Sequence, residues 1–488
     1  MKFWREGLIV GASLLFFSCR DRATHLEDLK KVDFLEVFYP FGFSKITNPL
    51  EIETVGDQVL SEHVFSSHGI KNPKNGFINT TSNIFIDRIK NIITITPKYN
   101  LRDSAGHEIS VKEICDTIHL QFQSTSHSTL SELIRSITCQ KNTIKISMKS
   151  IPNNMESLFS LPDFFIYTKK QIPIIDKIKK SSSGPYFVES IKQDSVTLKI
   201  NPHYPKSLRA NDIPKVFIKK NIYPSPKVFF ENIKKRKYIL SYFIGAFINK
   251  TDKSIFNDDT LITNINPSEW ILMLGFNNQN LKLAERIYIA NLLEQVKKEI
   301  RKITSFGESA YSFSPSDRPF GIKKKEYLEI TNLNKGKRPG KQFKLGIKKD
   351  MIENELFALI LNILKGHFGD DIKIITYETG KMYTEPDMYV GVRGISAGDP
   401  IHHINFSLKY EFLFKKIMTS KELNAISVLP RVQDFNQRVK ELEIRMLKER
   451  AFIPIGHFPG IIIHSKDLAL DESLAGDWGI RAWTYHVY

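Results

Sequence analysis

The chain has 488 residues, 41% of them hydrophobic and 25% charged. That length exceeds one compact core and predicts roughly two to four domains of ordinary soluble composition. The formal charge of +17 comes from basic residues dispersed along the whole chain. Zinc-finger, RRM and P-loop spacings are missing, which argues against nucleic-acid binding and leaves composition, an anionic membrane face or acidic ligands to account for the charge. The three cysteines, Cys19, Cys115 and Cys139, have no metal-ligand spacing. There is no HExxH, GxSxG or strand-to-helix GxGxxG, so the sequence points to no enzyme, metal or cofactor.

Residues 1–18 place Lys2 and Arg5 ahead of the apolar run Leu8–Phe17. The run is too short to span a bilayer and has the size of a signal-peptide core. Ser18-Cys19 then resembles a bacterial lipobox, with Phe16 where leucine is usual, and implies a lipid-anchored Cys19 followed by a tether. An ordinary cleaved signal is the alternative. Setting Cys19 aside leaves Cys115 and Cys139, which an exported protein could carry as a disulfide or as two buried thiols.

Val32–Phe43 alternates as a first strand, and 79–87 and 92–97 read as short strands. Ser110 is an N-cap for a helix starting at Val111, with Glu113 in its first turn. Asp103 and His107 share a turn and read as loop residues rather than a metal site. Residues 143–150 form a strand. The centre of the chain is 181–205: Gly184-Pro185-Tyr186 stops any preceding helix, and two alternating runs flank the polar turn Gln193-Asp194-Ser195, predicting a hairpin. Further strands follow at 215–222, 270–278 and 343–347, with helices at 225–234, 283–300 and 352–365. The Lys-rich stretch 322–340 reads as an exposed connection. A strand at 371–377, a charged amphipathic helix at 435–450 and a returning strand at 460–465 complete the chain.

The wording of the hairpin, a small-Gly-Pro-Tyr entry leading to Leu198, Asn201-Pro202 and Tyr204, resembles the central hairpin of bacterial family 5 extracytoplasmic solute-binding proteins. These are the receptors of peptide ABC importers. Other segments resemble the same family in the same order: Leu101–Ile114, the strand ending at Asn277-Asn278, the helix with Arg286 and Ala290, the loop Val390–Pro400, and Ala451–Pro454. Arg236-Lys237-Tyr238 stands where the family has Gly-Glu-Ile-Asp, a departure.

The resemblance implies a mixed α/β, two-lobed periplasmic-binding-protein-like fold with a hinge and an extra small domain. It divides the chain into a signal peptide (1–18), a tether and start of lobe I (19–48), a small extra domain (49–164), the lobe I core (165–265), lobe II (266–454) and a return to lobe I (455–488). It implies a peptide ligand, an ABC transporter permease in the inner membrane, an envelope location and no catalysis. The implied ligand-contacting positions are Arg393, Gly394, Ser396, Asp399, Trp270, Phe276 and Asn277. Family members hold the ligand's α-ammonium with an acid where this chain has Ser396, and a hydroxyl supplies no charge. Either Asp399 substitutes, or the ligand lacks a free amine, or binding is weak. Arg393 stands where tryptophan is common and points to an anionic or carboxylate ligand. The alternatives are a degenerate member acting as a surface interaction protein or envelope chaperone, a non-peptide solute, and, last, an envelope hydrolase.

Overall fold

The computed structural model describes residues 32–39, 55–72, 76–123, 131–153, 155–161, 164–168, 181–192, 194–220, 226–233, 235–250, 258–276, 280–331, 336–352, 354–377, 386–394, 417–429, 431–471 and 481–487. Strand β1 (Phe34–Tyr39) and helix α1 (Val55–Val64) precede the hairpin β2 (Gly69–Asn72) and β3 (Gly76–Asn79). A small unit follows: β4 (Ser82–Asp87), β5 (Ile92–Pro97), α2 (Val111–Gln123), β6 (Ile134–Cys139), β7 (Ile144–Met148) and the turn of helix α3 (Met155–Leu158). The chain then builds the first lobe with β8 (Tyr186–Lys192), β9 (Ser195–Ile200), β10 (Lys215–Lys220), α4 (Pro226–Ile233) and β11 (Ile239–Ile244).

The long strand β12 (Leu261–Phe276) leads into the second lobe, comprising α5 (Leu283–Ile303), β13 (Glu308–Ser309), α6 (Lys324–Thr331), β14 (Phe343–Lys348), α7 (Glu355–Phe368), β15 (Ile372–Tyr377), β16 (Met388–Gly394), α8 (Ser420–Ser427) and α9 (Val432–Lys448). A second long strand, β17 (Phe452–Ser465), returns to the first lobe and is followed by β18 (Leu468–Leu470) and β19 (Tyr485–Val487). The lysine-rich stretch 322–340, read from sequence as an open connection, contains helix α6. Tyr327, fully buried on that helix, supplies the tertiary contact that the surrounding lysines hide.

One sheet runs through both lobes in the order β15-β14-β16-β12-β17-β11-β1-β10-β9-β8. Its first-lobe half is parallel at β10, β1 and β11. Its second-lobe half is parallel at β15, β14 and β16. Parallel strands need crossovers, and α4 and α7 lie in two of them. The runs Leu272–Leu274 and Ile461–Ile463 are wholly or almost wholly buried, as strands covered on both faces require.

The small unit has its own antiparallel sheet, β4-β5-β7-β6, and its own core, in which Ile114, Ile118 and Phe122 of α2 meet Ile93, Ile95, Ile144 and Ile146. Helix α2 begins as its sequence dictates. The Ser110 hydroxyl accepts from Glu113 N–H at 3.2 Å while the Glu113 carboxylate accepts from Ser110 N–H at 2.9 Å, a reciprocal cap. Cys115 and Cys139 form a disulfide joining α2 to β6.

The central hairpin motif serves the fold. A Cβ on Gly184 would lie 2.5 Å from the backbone of Val64 and Phe65, so only glycine lets the end of α1 pack there. Asn201, fully buried, donates to the carbonyls of Gly184 at 2.9 Å and Ser182 at 3.2 Å. Ser66 and Ser183 exchange two further bonds, Ser66 N–H to the Ser183 hydroxyl at 3.0 Å and the Ser66 hydroxyl to the Ser183 carbonyl at 2.6 Å. These residues lock helix to hairpin by satisfying backbone groups that burial would otherwise orphan.

The chain end docks on the same helix. His63 Nδ1–H donates to the Val59 carbonyl at 2.7 Å, leaving Nε2 to accept from Ala482 N–H at 3.1 Å. Burial depresses this imidazole to a pKa of about 4, consistent with that neutral tautomer.

Candidate ligand-binding site

Parallel strands present their carboxyl ends on one edge, and ligands of open α/β sheets sit outside those ends. In the first half-sheet β11 ends at Ile244, which pairs with Gly460 of β17. In the second, β16 ends at Gly394, which pairs with Trp270 of β12. Along the two long strands Asn266 pairs with Gly460 and Trp270 with Phe458, so the three residues 267–269 lie opposite the single residue Pro459. This is a bulge, placed where proline cannot donate to the ladder. Both half-sheets therefore direct carboxyl ends at one irregular crossing of two strands.

The crossing is floored by aromatic side chains. Tyr39, the last residue of β1, stacks on Tyr242 of β11 with ring centroids 5.7 Å apart. Tyr242 lies 6.2 Å from Trp270, whose indole N–H donates to the Tyr242 hydroxyl. On the other side, Arg393 donates to the Tyr389 hydroxyl at 2.7 Å, with its guanidinium 5.4 Å from that ring's centroid. Four residues apart on a strand, the two share a face. Tyr389 lies over Gly275 of the neighbouring strand, where a Cβ would come within 2.4 Å of the ring. A half-buried guanidinium held at a strand end suits a carboxylate, which it can meet with two parallel donors.

Trp270, Arg393 and Gly394 thus lie at adjacent register positions by the crossing, with the Arg393 side chain on the opposite face of the sheet from Trp270. Phe276 does not. It pairs with Met388 at the opposite end of β16, six residues or roughly 20 Å along β12 from Trp270. There it is fully buried with the Arg286 guanidinium 5.8 Å from its ring. From Ile271 to Leu274, and at Phe276, the apolar run is core. Asn277, Ser396, Asp399 and Cys19 lie outside the described residues. Tyr39, Tyr242 and Tyr389 escaped the sequence reading. Their signal is weak: each is a tyrosine among the apolar residues of a strand, and only register brings Tyr39 to Tyr242. Asp103 and His107 organise a turn, the carboxylate accepting from Ala105 N–H and His107 N–H at 2.9 Å each and from the Ser181 hydroxyl at 2.6 Å.

Arg236, in the segment that departs from the family wording, has a local explanation. Its guanidinium and Lys219 both donate to Glu36, buried on β1. Burial alone would raise this carboxyl, but the two cationic donors hold it below the usual carboxylate range.

Away from the crossing, the small unit touches the second lobe directly. Asn153 N–H donates to the Ser427 carbonyl at 2.9 Å, and its side-chain amide donates to the Leu429 carbonyl. The Asn424 amide donates to Glu132 at 3.3 Å. Arg88 presents this loop by donating to the Pro152 and Asn153 carbonyls at 3.1 and 3.2 Å. At the other side, Asn354 caps α7 and donates to the Ala246 carbonyl at 3.1 Å, while Phe247 and Phe357 stack at 5.9 Å.

No family model matches the sequence, and no curated protein matches it. Solved structures do match. NikA from Staphylococcus aureus in complex with Ni(L-His)2 aligns with a TM-score of 0.73 at 13% identity, covering 94% of this chain and 100% of that one. The ABC transporter-associated periplasmic binding protein DppA from Helicobacter pylori, in complex with the peptide STSA, aligns at 0.73 and 12%, covering 93% and 98%. The oligopeptide-binding protein AppA from Bacillus subtilis, in complex with a nonapeptide, aligns at 0.71 and 14%, covering 94% and 100%. The chain has the periplasmic-binding-protein fold. The long strands β12 and β17 run between the lobes, and Asn153–Ser427 ties the small unit to the second lobe.

Proposed function

We propose that this protein is an extracytoplasmic solute-binding protein that captures peptides for an ABC importer by closing two lobes over the ligand. The observation that carries the reading is the convergence of both half-sheets' carboxyl ends on one bulged crossing, floored by Tyr39, Tyr242 and Trp270 and flanked by Arg393. Proteins of the same fold hold the peptide STSA and a nonapeptide, which supports a peptide ligand here. An extended peptide is held through its backbone as an added strand, and its charged ends need partners inside the closed lobes. Arg393 takes the carboxylate end. Cys19 carries the lipid anchor to the outer face of the cytoplasmic membrane, and a membrane permease receives the cargo. The protein binds and does not turn over its ligand.

The test is native mass spectrometry of the protein purified from a peptide-rich host, with thermal melts against the same peptide pools. Co-purifying short peptides, and melting raised by them, are expected. Arg393→Gln should weaken binding by about tenfold or more, the loss of one charge-assisted contact. A bare mass with no shift by any pool would sink the peptide reading. The fold also accommodates other ligands, since the structure of the binding protein AgaA contains agropinic acid. A melt raised by small anions but not peptides would transfer the assignment to such a solute. No response to either would favour a surface interaction role.

A further inference from the structure

The disulfide of the small unit has a third neighbour. His119 lies one turn beyond Cys115 on α2, and a spacing of four puts both on the same helix face. One donor atom from each of Cys115, His119 and Cys139 falls within 4.8 Å of the others. The set is graded in exposure: Cys115 is buried, His119 half-buried and Cys139 exposed. Cys139 ends β6, the edge strand of its sheet, and its pairing with Ile144 is the last rung before the turn.

We propose that Cys115, His119 and Cys139 become a three-ligand site for a zinc-class cation when the disulfide is reduced. A dithiol reductant supplies two electrons and two protons. Its own sulfurs close to a disulfide while the Cys115–Cys139 bond opens to two thiols. Cation binding then forms two metal–thiolate bonds and releases the two thiol protons to solvent. Two thiolates and an imidazole are the ligand set of borderline-soft cations, whose bond lengths of about 2.0–2.3 Å hold donors within about 4.6 Å of one another. Once the bond opens, the two sulfurs separate to that spacing, and Cys139 stands at the end of its strand. Solvent on the Cys139 side provides the fourth ligand. The consequence is a staple between α2 and β6 that persists in either redox state, as a disulfide when oxidised and as a metal bridge when reduced.

The experiment uses the full chain with Cys19→Ser, so that only two cysteines remain. The protein is reduced with a phosphine, freed of reductant and titrated anaerobically with Co2+ as the spectroscopic stand-in, then with Zn2+ in competition. A thiolate-to-cobalt charge-transfer band saturating at one equivalent, absent from the oxidised protein and displaced by Zn2+, is expected. His119→Gln leaves the disulfide and the oxidised fold intact, and should weaken binding by about tenfold or more while altering the cobalt ligand-field bands. Cys139→Ser should abolish the charge-transfer band. Reduced protein that binds no cobalt, His119→Gln that binds as tightly as the parent, or oxidised protein that binds equally well would each overturn the proposal.

Discussion

Glu443 shows how a single buried residue sets a pH dependence. It is fully buried on α9, where Ser314 donates to it through both N–H and hydroxyl. Burial outweighs those donors and pushes the carboxyl up to about 7. A raised acid favours the folded state fully below its ordinary value near 4.5, and that contribution fades as pH rises through 7. Replacement by glutamine keeps an acceptor without the charge. In melts at stepped pH, Glu443→Gln should gain on the parent between pH 5 and 8, by about 1–3 kcal/mol. A constant difference across that range would refute the assignment. Buried imidazoles act with the opposite sign. His63 and His457 are depressed to about 4 and His68 to about 3, all chiefly by burial. Their contribution is complete above 6.5 and is lost as pH falls from there, so the same melts should show stability falling with acid below that value. Asn201→Ala removes two bonds to buried carbonyls and should cost about 1–3 kcal/mol, read as a lower denaturation midpoint at unchanged slope.

Among elements, the small unit is the most separable, with its own sheet, its own core and a disulfide across a separation of 24 residues. Closing a loop of that size contributes about 3 kcal/mol in the chain-entropy model. Cys115→Ser with Cys139→Ser should therefore lower the stability of this unit more than that of the lobes, which hydrogen exchange of α2 and β6 against α5 and β17 would resolve. Uniform loss across all four would contradict the separation. Much of this element level was legible beforehand. The Ser110 cap and the hairpin at 184–200 follow from local chemistry, because caps and turns are read from neighbours in sequence. Helix α6 was missed because its one burying residue, Tyr327, is surrounded by lysines. The full length of the long strands is hidden in the sequence by prolines, Pro267 in β12 and Pro454 and Pro459 in β17, which a linear reading takes as strand breaks.

At the scale of the whole molecule, the contacts from Asn153 and Asn424 to their partners matter only in conformations that bring the small unit to α8. Contacts confined to one state bias the equilibrium toward it. Asn153→Ala with Asn424→Ala should speed ligand release several-fold, measured by stopped-flow fluorescence, while leaving the melting temperature of the unliganded protein nearly unchanged. An unaltered release rate would show that these bonds play no part in closure. Arg88→Ala, which frees the loop bearing Asn153, should act in the same direction.

The sequence by itself determined the local pieces: the capped helix α2, the hairpin whose Gly184 and Asn201 are needed by the fold, and the two-lobed plan implied by wording in order. It could not assemble the candidate site. Trp270 and Phe276 occur on one apolar strand and look equivalent in a linear reading, yet register carries one to the crossing and the other into the core. Nor could spacing bring His119 to a cysteine bridge spanning two elements, or Tyr39 to Tyr242. Local propensity acts between residues a few positions apart, whereas strand pairing joins residues hundreds of positions apart, and only the folded sheet decides which of them meet.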